Sequence, residues 1–176
     1  NEMPTNIALS ATTIAENAGD NAIVGTLSTG DPDAGNAFTY TLVTGTGSTD
    51  NAAFNILGSE LRATASLNFE EKSSYSVRIR STDQGGLFTE AAFMITITDI
   101  NEAPTAVSLS PAASTLLDNT STAERFRLAD ITVTDDGVGT NSLALAGDDA
   151  ASFEIIGSKL YLKAGVRLDG LSKPGY

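Results

Sequence analysis

Histidine, cysteine and tryptophan are all absent from this 176-residue chain. Without cysteine there is no disulfide framework, and without cysteine and histidine there is no zinc site of the usual kind. A Ser-His-Asp triad and a Cys-His dyad are excluded on the same ground. Basic residues are also scarce, 10 Lys and Arg against 22 Asp and Glu, a formal charge of −12. Nucleic-acid binding needs clustered cations to displace counterions from phosphate, and docking on anionic lipid needs the same. Neither partner fits. No segment approaches the ~18 consecutive apolar residues of a membrane-spanning helix, so no membrane insertion is expected here. The opening Asn1-Glu2-Met3-Pro4 has neither the basic nor the apolar region of a secretory leader, and the segment reads as an excised or processed piece of something longer. What is plentiful is carboxylate, amide and hydroxyl oxygen, the ligand set of a hard cation. A hydrophobic content of 41% is enough to build a packed core.

The chain repeats itself. Residues 1–10, NEMPTNIALS, return as residues 101–110, NEAPTAVSLS. Further in, Phe54-Asn55-Ile56-Leu57-Gly58-Ser59-Glu60-Leu61 returns as Phe153-Glu154-Ile155-Ile156-Gly157-Ser158-Lys159-Leu160. Two echoes in the same order at nearly the same spacing define two tandem copies, residues 1–100 and 101–176. Within copy one, Ile23–Leu27, Phe38–Val43, Tyr75–Arg80 and Phe93–Thr98 alternate apolar with polar residues and are rich in β-branched and aromatic side chains. That is the period of half-buried strands. Turns rich in Gly, Asp and Asn separate them, at 30–36, 45–50 and 83–86. Around seven strands in about 100 residues, with no helical period, predict an all-β chain of two Greek-key β-sandwiches of the cadherin/immunoglobulin-like class. The counterpart of Tyr75 in copy two is Tyr176, so the second sandwich is expected to lack its last strands. The alternating aromatics, Phe38, Tyr40, Phe54, Phe69, Tyr75, Phe88 and Phe93, are expected in the core. Arg62, Arg78 and Arg80 are expected to face solvent.

The acids are not scattered along outward strand faces. Glu16 follows the short apolar piece Ile14-Ala15, Asp31 and Asp33 flank a proline in a glycine-rich turn, and Glu70 and Glu71 follow Leu67-Asn68-Phe69. Asp83 ends a strand, and Asp99 and Glu102 bracket the junction of the copies. Alternate spacing such as Asp31-x-Asp33 or Asp99-x-Asn101 lets two oxygens converge on one ion, which suits Ca²⁺ with its roughly 6–8 oxygen ligands. The competing explanation is that Asp and Asn sit in turns to bond their own backbone.

These residues resemble a cadherin repeat of the bacterial cadherin-like kind. Ala15-Glu16-Asn17 is similar to the family's first-strand glutamate motif, and Asp31-Pro32-Asp33 followed by Asn36 resembles its Asp-x-Asp turn. Leu67-Asn68-Phe69-Glu70 stands where the family has Leu-Asp-Arg-Glu or Leu-Asp-Phe-Glu, with Asn68 in place of Asp. Ser81-Thr82-Asp83 resembles the Ala-x-Asp motif, and Asp99-Ile100-Asn101-Glu102-Ala103-Pro104 resembles the inter-repeat linker, one residue short. The resemblance implies calcium at the central junction, held by Glu16, Glu70, Asp99, Asn101 and Glu102 and closed by Asp135, Asp136 and Asn141. It implies a weaker half-site at the N-terminal pole from Asp31, Asp33, Asn36 and Asp83, whose other half would belong to a preceding repeat. Fewer ions than the family's usual three are expected, because Asp135-Asp136-Gly137 and Leu168-Asp169-Gly170 depart from its motifs. The implied function is a calcium-rigidified structural or adhesive module of a secreted or surface-anchored bacterial protein, not an enzyme. Its partners would be calcium, adjacent repeats of the parent chain, and a surface protein, polysaccharide or neighbouring subunit. Two alternatives stay open: a carbohydrate-binding module, and a filament subunit whose second sandwich is completed by a neighbour's strand. A paired-acid glycosidase is the remaining catalytic class, and it normally needs an aromatic-walled groove.

Overall fold

The computed structural model describes all residues except 34, 36, 112–114, 119, 171–174 and 176. The chain divides into two compact units, Asn1–Ile100 and Asn101–Tyr176. Unit 1 contains β1 (Asn6–Leu9), β2 (Thr13–Ala15), β3 (Ile23–Gly30), β4 (Thr39–Leu42), β5 (Phe54–Leu57), β6 (Glu60–Ala63), β7 (Ser74–Thr82) and β8 (Phe88–Thr98). They form two four-stranded sheets, β1-β3-β6-β5 and β2-β8-β7-β4. Every pairing is antiparallel except β2 beside β8. The expected all-β sandwich is what forms.

Side-chain alternation explains the two layers. On β7, Val77, Ile79 and Ser81 are fully buried while Arg78 and Arg80 point the other way. On β8, Ile95 and Ile97 are buried and Met94 is exposed. Val77, Ile79, Ile95 and Ile97 meet Val24, Leu27, Phe54, Leu61 and Ala63 from the facing sheet in one core cluster. Each large aliphatic side chain buried this way contributes roughly 1.5–3 kcal/mol. Between β1 and β2 the chain crosses from one sheet to the other. A Cβ at Gly25 would lie 2.8 Å from the Ala11 carbonyl oxygen, so only glycine lets the crossing segment pass this close.

Two expectations need correction. Phe88 is 44% exposed and lies under the Arg80 guanidinium, 3.9 Å from its ring centroid, on the outer face of the sheet and not in the core. It pairs with Thr82 at the end of the ladder, on the same face of β8 as the exposed Met94. The arginines are only partly in solvent: Glu60 takes Arg62, and Glu90 takes both Arg78 and Arg80. Strand alternation indicates which face a residue is on, but not which neighbour waits there.

Unit 2 contains β9 (Ala106–Ser110), β10 (Phe126–Thr134), β11 (Phe153–Ile156) and β12 (Lys159–Leu162), in one sheet ordered β11-β12-β10-β9. This sheet repeats the β5-β6-β3-β1 sheet pair for pair. Phe153 opposes Leu162 as Phe54 opposes Ala63, and Ile155 opposes Leu160 as Ile56 opposes Leu61. The register shift in β3 between Ile23 and Gly25 returns in β10 between Arg127 and Ala129. Even single backbone bonds recur: Leu27 N to the Ser59 carbonyl becomes Ile131 N to the Ser158 carbonyl, both 2.7 Å. Among the described residues unit 2 has no second sheet, and its buried hydrophobics are Ala129, Ile131 and Leu162. No helix among the described residues is long and apolar enough to cross a membrane.

Candidate functional site

Glu16 organises one end of unit 1. It follows β2 directly, and its amide bonds the Thr98 carbonyl at 3.1 Å, fixing it beside the end of β8. Its side chain is 1% exposed. One carboxylate oxygen accepts the Phe69 amide at 2.9 Å and the other accepts the Ile100 amide at 2.8 Å. The next residue, Asn17, takes a left-handed φ of 55° and bonds the Leu67 carbonyl. Glu16 thereby staples two loops, and Glu70 and Asp99 are the chain neighbours of the two stapled amides. The result is three carboxylates, Glu16, Glu70 and Asp99, that offer oxygens within 4.8 Å of one another. The Phe69 and Ile100 amides hold the Glu16 carboxyl below its ordinary range, against the opposing pull of burial. It is therefore an anion at neutral pH. Asn68, which stands where the resembled motif has Asp, accepts the Glu71 amide at 2.8 Å and caps the turn that presents Glu70.

The start of unit 2 gathers the second group. The Glu102 amide donates to Asp136 Oδ2 at 2.7 Å, and the Val138 amide donates to Asp136 Oδ1 at 2.9 Å. Asn141 Nδ2 donates to Asp135 Oδ2 at 2.7 Å, while Asp135 Oδ1 is buried with no hydrogen-bond donor among the described residues. Asn101 lies over Gly139, where a Cβ would come within 1.9 Å of Asn101 Oδ1. Gly139 also has φ +81°, so glycine is required twice over. Asn101, Glu102, Asp135, Asp136 and Asn141 thus share one end of unit 2.

The N-terminal end of unit 1 has the same construction. The Glu2 amide donates to Asp33 Oδ2 at 2.6 Å, as Glu102 does to Asp136. Asp31 Oδ1 accepts the Asp33 amide at 2.9 Å, and Asp31 Oδ2, like Asp135 Oδ1, is buried with no donor among the described residues. Asn1 Nδ2 reaches Asp83 Oδ2 at 3.0 Å, and Asp83 Oδ1 accepts the Gly85 and Leu87 amides. Asp31, Asp33 and Asp83 are linked here through Asn1 and Glu2. Asn36 lies outside the described residues.

A buried acceptor oxygen with no donor costs about 1–3 kcal/mol and is normally paired with something. Here one occurs at each of two equivalent places, both on aspartates, and a hard divalent cation would satisfy both. The donor set is all oxygen, which fits Ca²⁺ and not a soft metal.

Three features escaped the sequence reading. Gly139 carries a signal only in the spacing Gly137-x-Gly139 after the paired aspartates. Asp20 accepts the Ser66 amide, and Asp50 accepts Lys72 and the Ser76 amide, so these acids brace loops. Glu90, the shared partner of two arginines, sits 10 and 12 residues away from them in sequence and had no local signal.

No family model matches the chain. Human Protocadherin Fat 1 is 35% identical over 82 residues, covering 47% of this chain and 2% of that protein. Protocadherin gamma-A11 from Pan troglodytes is 32% identical over 60 residues, 34% of this chain and 6% of that protein. The chain therefore spans only a few per cent of the curated relatives' length. Among solved structures, human Protocadherin-24 EC1-2 aligns with a TM-score of 0.67 at 15% identity, over 97% of this chain and 82% of that one. Protocadherin gammaB7 EC3-6 aligns with a TM-score of 0.65 at 22% identity, over 99% of this chain and 42% of that one. The fold is that of tandem cadherin domains.

Proposed function

We propose that this chain is a calcium-binding, extracellular structural and adhesive module, made of cadherin-like repeats at residues 1–100 and 101–176. Its setting would be a secreted or surface-anchored bacterial protein, a reading that rests on the motif resemblance. The observation that carries the calcium reading is the convergence of Glu16, Glu70 and Asp99 around two backbone amides. Three carboxylates held together repel one another, and a divalent cation would offset that repulsion. Glu16 acts as the fixed member, because its position is set by two amides. Glu70 and Asp99 supply the outer oxygens, and Asp135 and Asp136, braced by Asn141, Glu102 and Val138, supply those of the next repeat. Asp31, Asp33 and Asp83 repeat that acceptor geometry for a preceding repeat, with weaker binding. The mechanical output is a joint that stiffens on ion binding, suited to spacing or adhesion.

Differential scanning calorimetry with calcium and with a chelator tests this. Binding to the folded state stabilises by about 2.7 kcal/mol at a hundredfold excess over Kd. The unit 1 transition should rise with calcium in the parent chain and stay fixed in Glu70→Gln/Asp99→Asn. Equal melting with and without calcium would overturn the reading.

A further inference from the structure

Strand β8 is bonded unequally on its two sides. β7 pairs with it from Phe88 to Thr96, whereas β2 pairs only with Thr96–Thr98. The Ile97 amide bonds the Ser73 carbonyl on the β7 side, and the Thr96 amide bonds the Thr12 carbonyl on the other. Backbone groups alternate in direction along a strand, so those of Phe88, Glu90, Ala92 and Met94 point away from β7. Among the described residues they have no hydrogen-bond partner. The segment running beside this stretch is β1, which gives its own bonds to β3 in the other sheet, so the open edge is set by the fold within unit 1. A groove lined by Met3, Arg78, Leu87, Phe88, Thr89 and Glu90 adjoins its first half. Phe88 is 44% and Met94 66% exposed. Open edges are normally blunted by charge or proline. Here the single charged residue between Phe88 and Met94 is Glu90, and Arg78 and Arg80 already neutralise it.

We propose that this edge pairs with the same edge of a second copy of the chain, antiparallel, about a two-fold axis at Ala91. In that register Phe88 lies opposite Met94 of the second copy and Glu90 opposite its Ala92, and the outward backbone groups of all four residues find partners. An aromatic ring meets a thioether, a favourable contact. The charges also fit. On β7, Arg80 pairs with Glu90 and Arg78 with Ala92. A row across the joined sheets therefore reads Arg80, Glu90, then Ala92 and Arg78 of the second copy, so each acid has a guanidinium to either side and none faces an acid. Sliding the register by two residues one way sets Glu90 against Glu90, and sliding it the other way sets Glu90 against Met94. Both are poorer pairs. Ala91 supplies a small side chain at the axis, where the two strands lie closest. No ion takes part, so the test is run in chelator and its failure leaves the calcium reading standing.

Sedimentation of the full chain should show a monomer–dimer equilibrium that moves to dimer with rising concentration. Ala92→Pro removes an amide aimed at the second copy and none that serves β7. It should weaken the dimer at least about tenfold while keeping the unit 1 melting transition. A second measurement reads the register itself and uses the absence of native cysteine. Ala91→Cys places two thiols across the axis at a pair about 4.5 Å apart, within disulfide reach, and Ala92→Cys faces Glu90 instead. In oxidising buffer Ala91→Cys should crosslink about tenfold faster than Ala92→Cys. Three results would overturn the proposal: a chain still monomeric at about 1 mM, an undiminished dimer in Ala92→Pro, or equal crosslinking of the two cysteine variants.

Discussion

Leu61→Ala and Leu160→Ala make the same change at equivalent positions of the two units, and the structure assigns them different costs. Leu61 is 0% exposed, lies opposite Ile56 on β5, and is enclosed by both sheets. Removing its side chain loses the transfer energy and leaves a cavity, because the second sheet prevents collapse. Leucine-to-alanine changes of this kind cost about 2.7–5.0 kcal/mol, and full enclosure places Leu61 at about 3–4. Leu160 lies opposite Ile155 in the same register but is half-buried. Only part of its surface leaves water on folding, and little cavity remains, so about 1–2 kcal/mol is expected. For a domain of this size 1 kcal/mol moves the melting point by about 4–8 °C. Scanning calorimetry on the full chain resolves the two units as separate transitions and needs no tryptophan. Leu61→Ala should lower the unit 1 transition by about 12 °C or more, and Leu160→Ala should lower the unit 2 transition by less than that. Equal losses would refute the picture of one closed and one open sandwich.

The other expectations concern the acids and one glycine. Glu16→Gln, measured in chelator, should flatten the acid side of the stability profile. The folded Glu16 carboxyl lies below its ordinary value of 4.5, so its contribution is complete above that pH and is lost as pH falls through the lowered value. Urea melts from pH 7 downward check this, and parallel profiles for the two proteins would contradict it. Asp50→Ala should destabilise unit 1 by about 2 kcal/mol, because the Ser76 amide loses a charged acceptor, whereas Lys72→Ala should cost under about 1 kcal/mol. Denaturant titration of both variants separates amide support from ion pairing. Gly139→Ala should destabilise unit 2 by more than about 1 kcal/mol through its positive φ and push Asn101 aside. Nuclear magnetic resonance shifts confined to Asn101–Glu102 and residues 135–141 would show that displacement.

The strands were legible because alternation is a direct imprint of a half-buried sheet, and the repeat was legible because NEMPTNIALS and NEAPTAVSLS occupy the same edge of equivalent sheets. Glu16, Glu70 and Asp99 could be singled out from their places at strand ends, and the structure brings their carboxylates together. How they meet was not legible: the staple runs through the backbone amides of Phe69 and Ile100, 53 and 84 residues away, and amides leave no trace in a sequence. Phe88 was misplaced for a different reason. It stands an odd number of positions from the buried Ile95 and Ile97, so alternation puts it on the outer face with Glu90 and Met94, and aromatic character alone does not bury a side chain. Asn68 shows the opposite case, since its turn-capping bond to Glu71 is local and belongs to an ordinary Asx turn.

The most direct test of calcium stiffening uses the absence of cysteine. Ala65→Cys and Ser158→Cys place one spin label on an exposed residue of each unit, with no native thiol to compete. Pulsed electron resonance then gives the distribution of distances between the units, with calcium and with chelator. Stiffening at the Ile100-Asn101 joint predicts a broad distribution in chelator that narrows to one peak with calcium, and stays broad in Glu70→Gln/Asp99→Asn. Identical distributions in both conditions would contradict it.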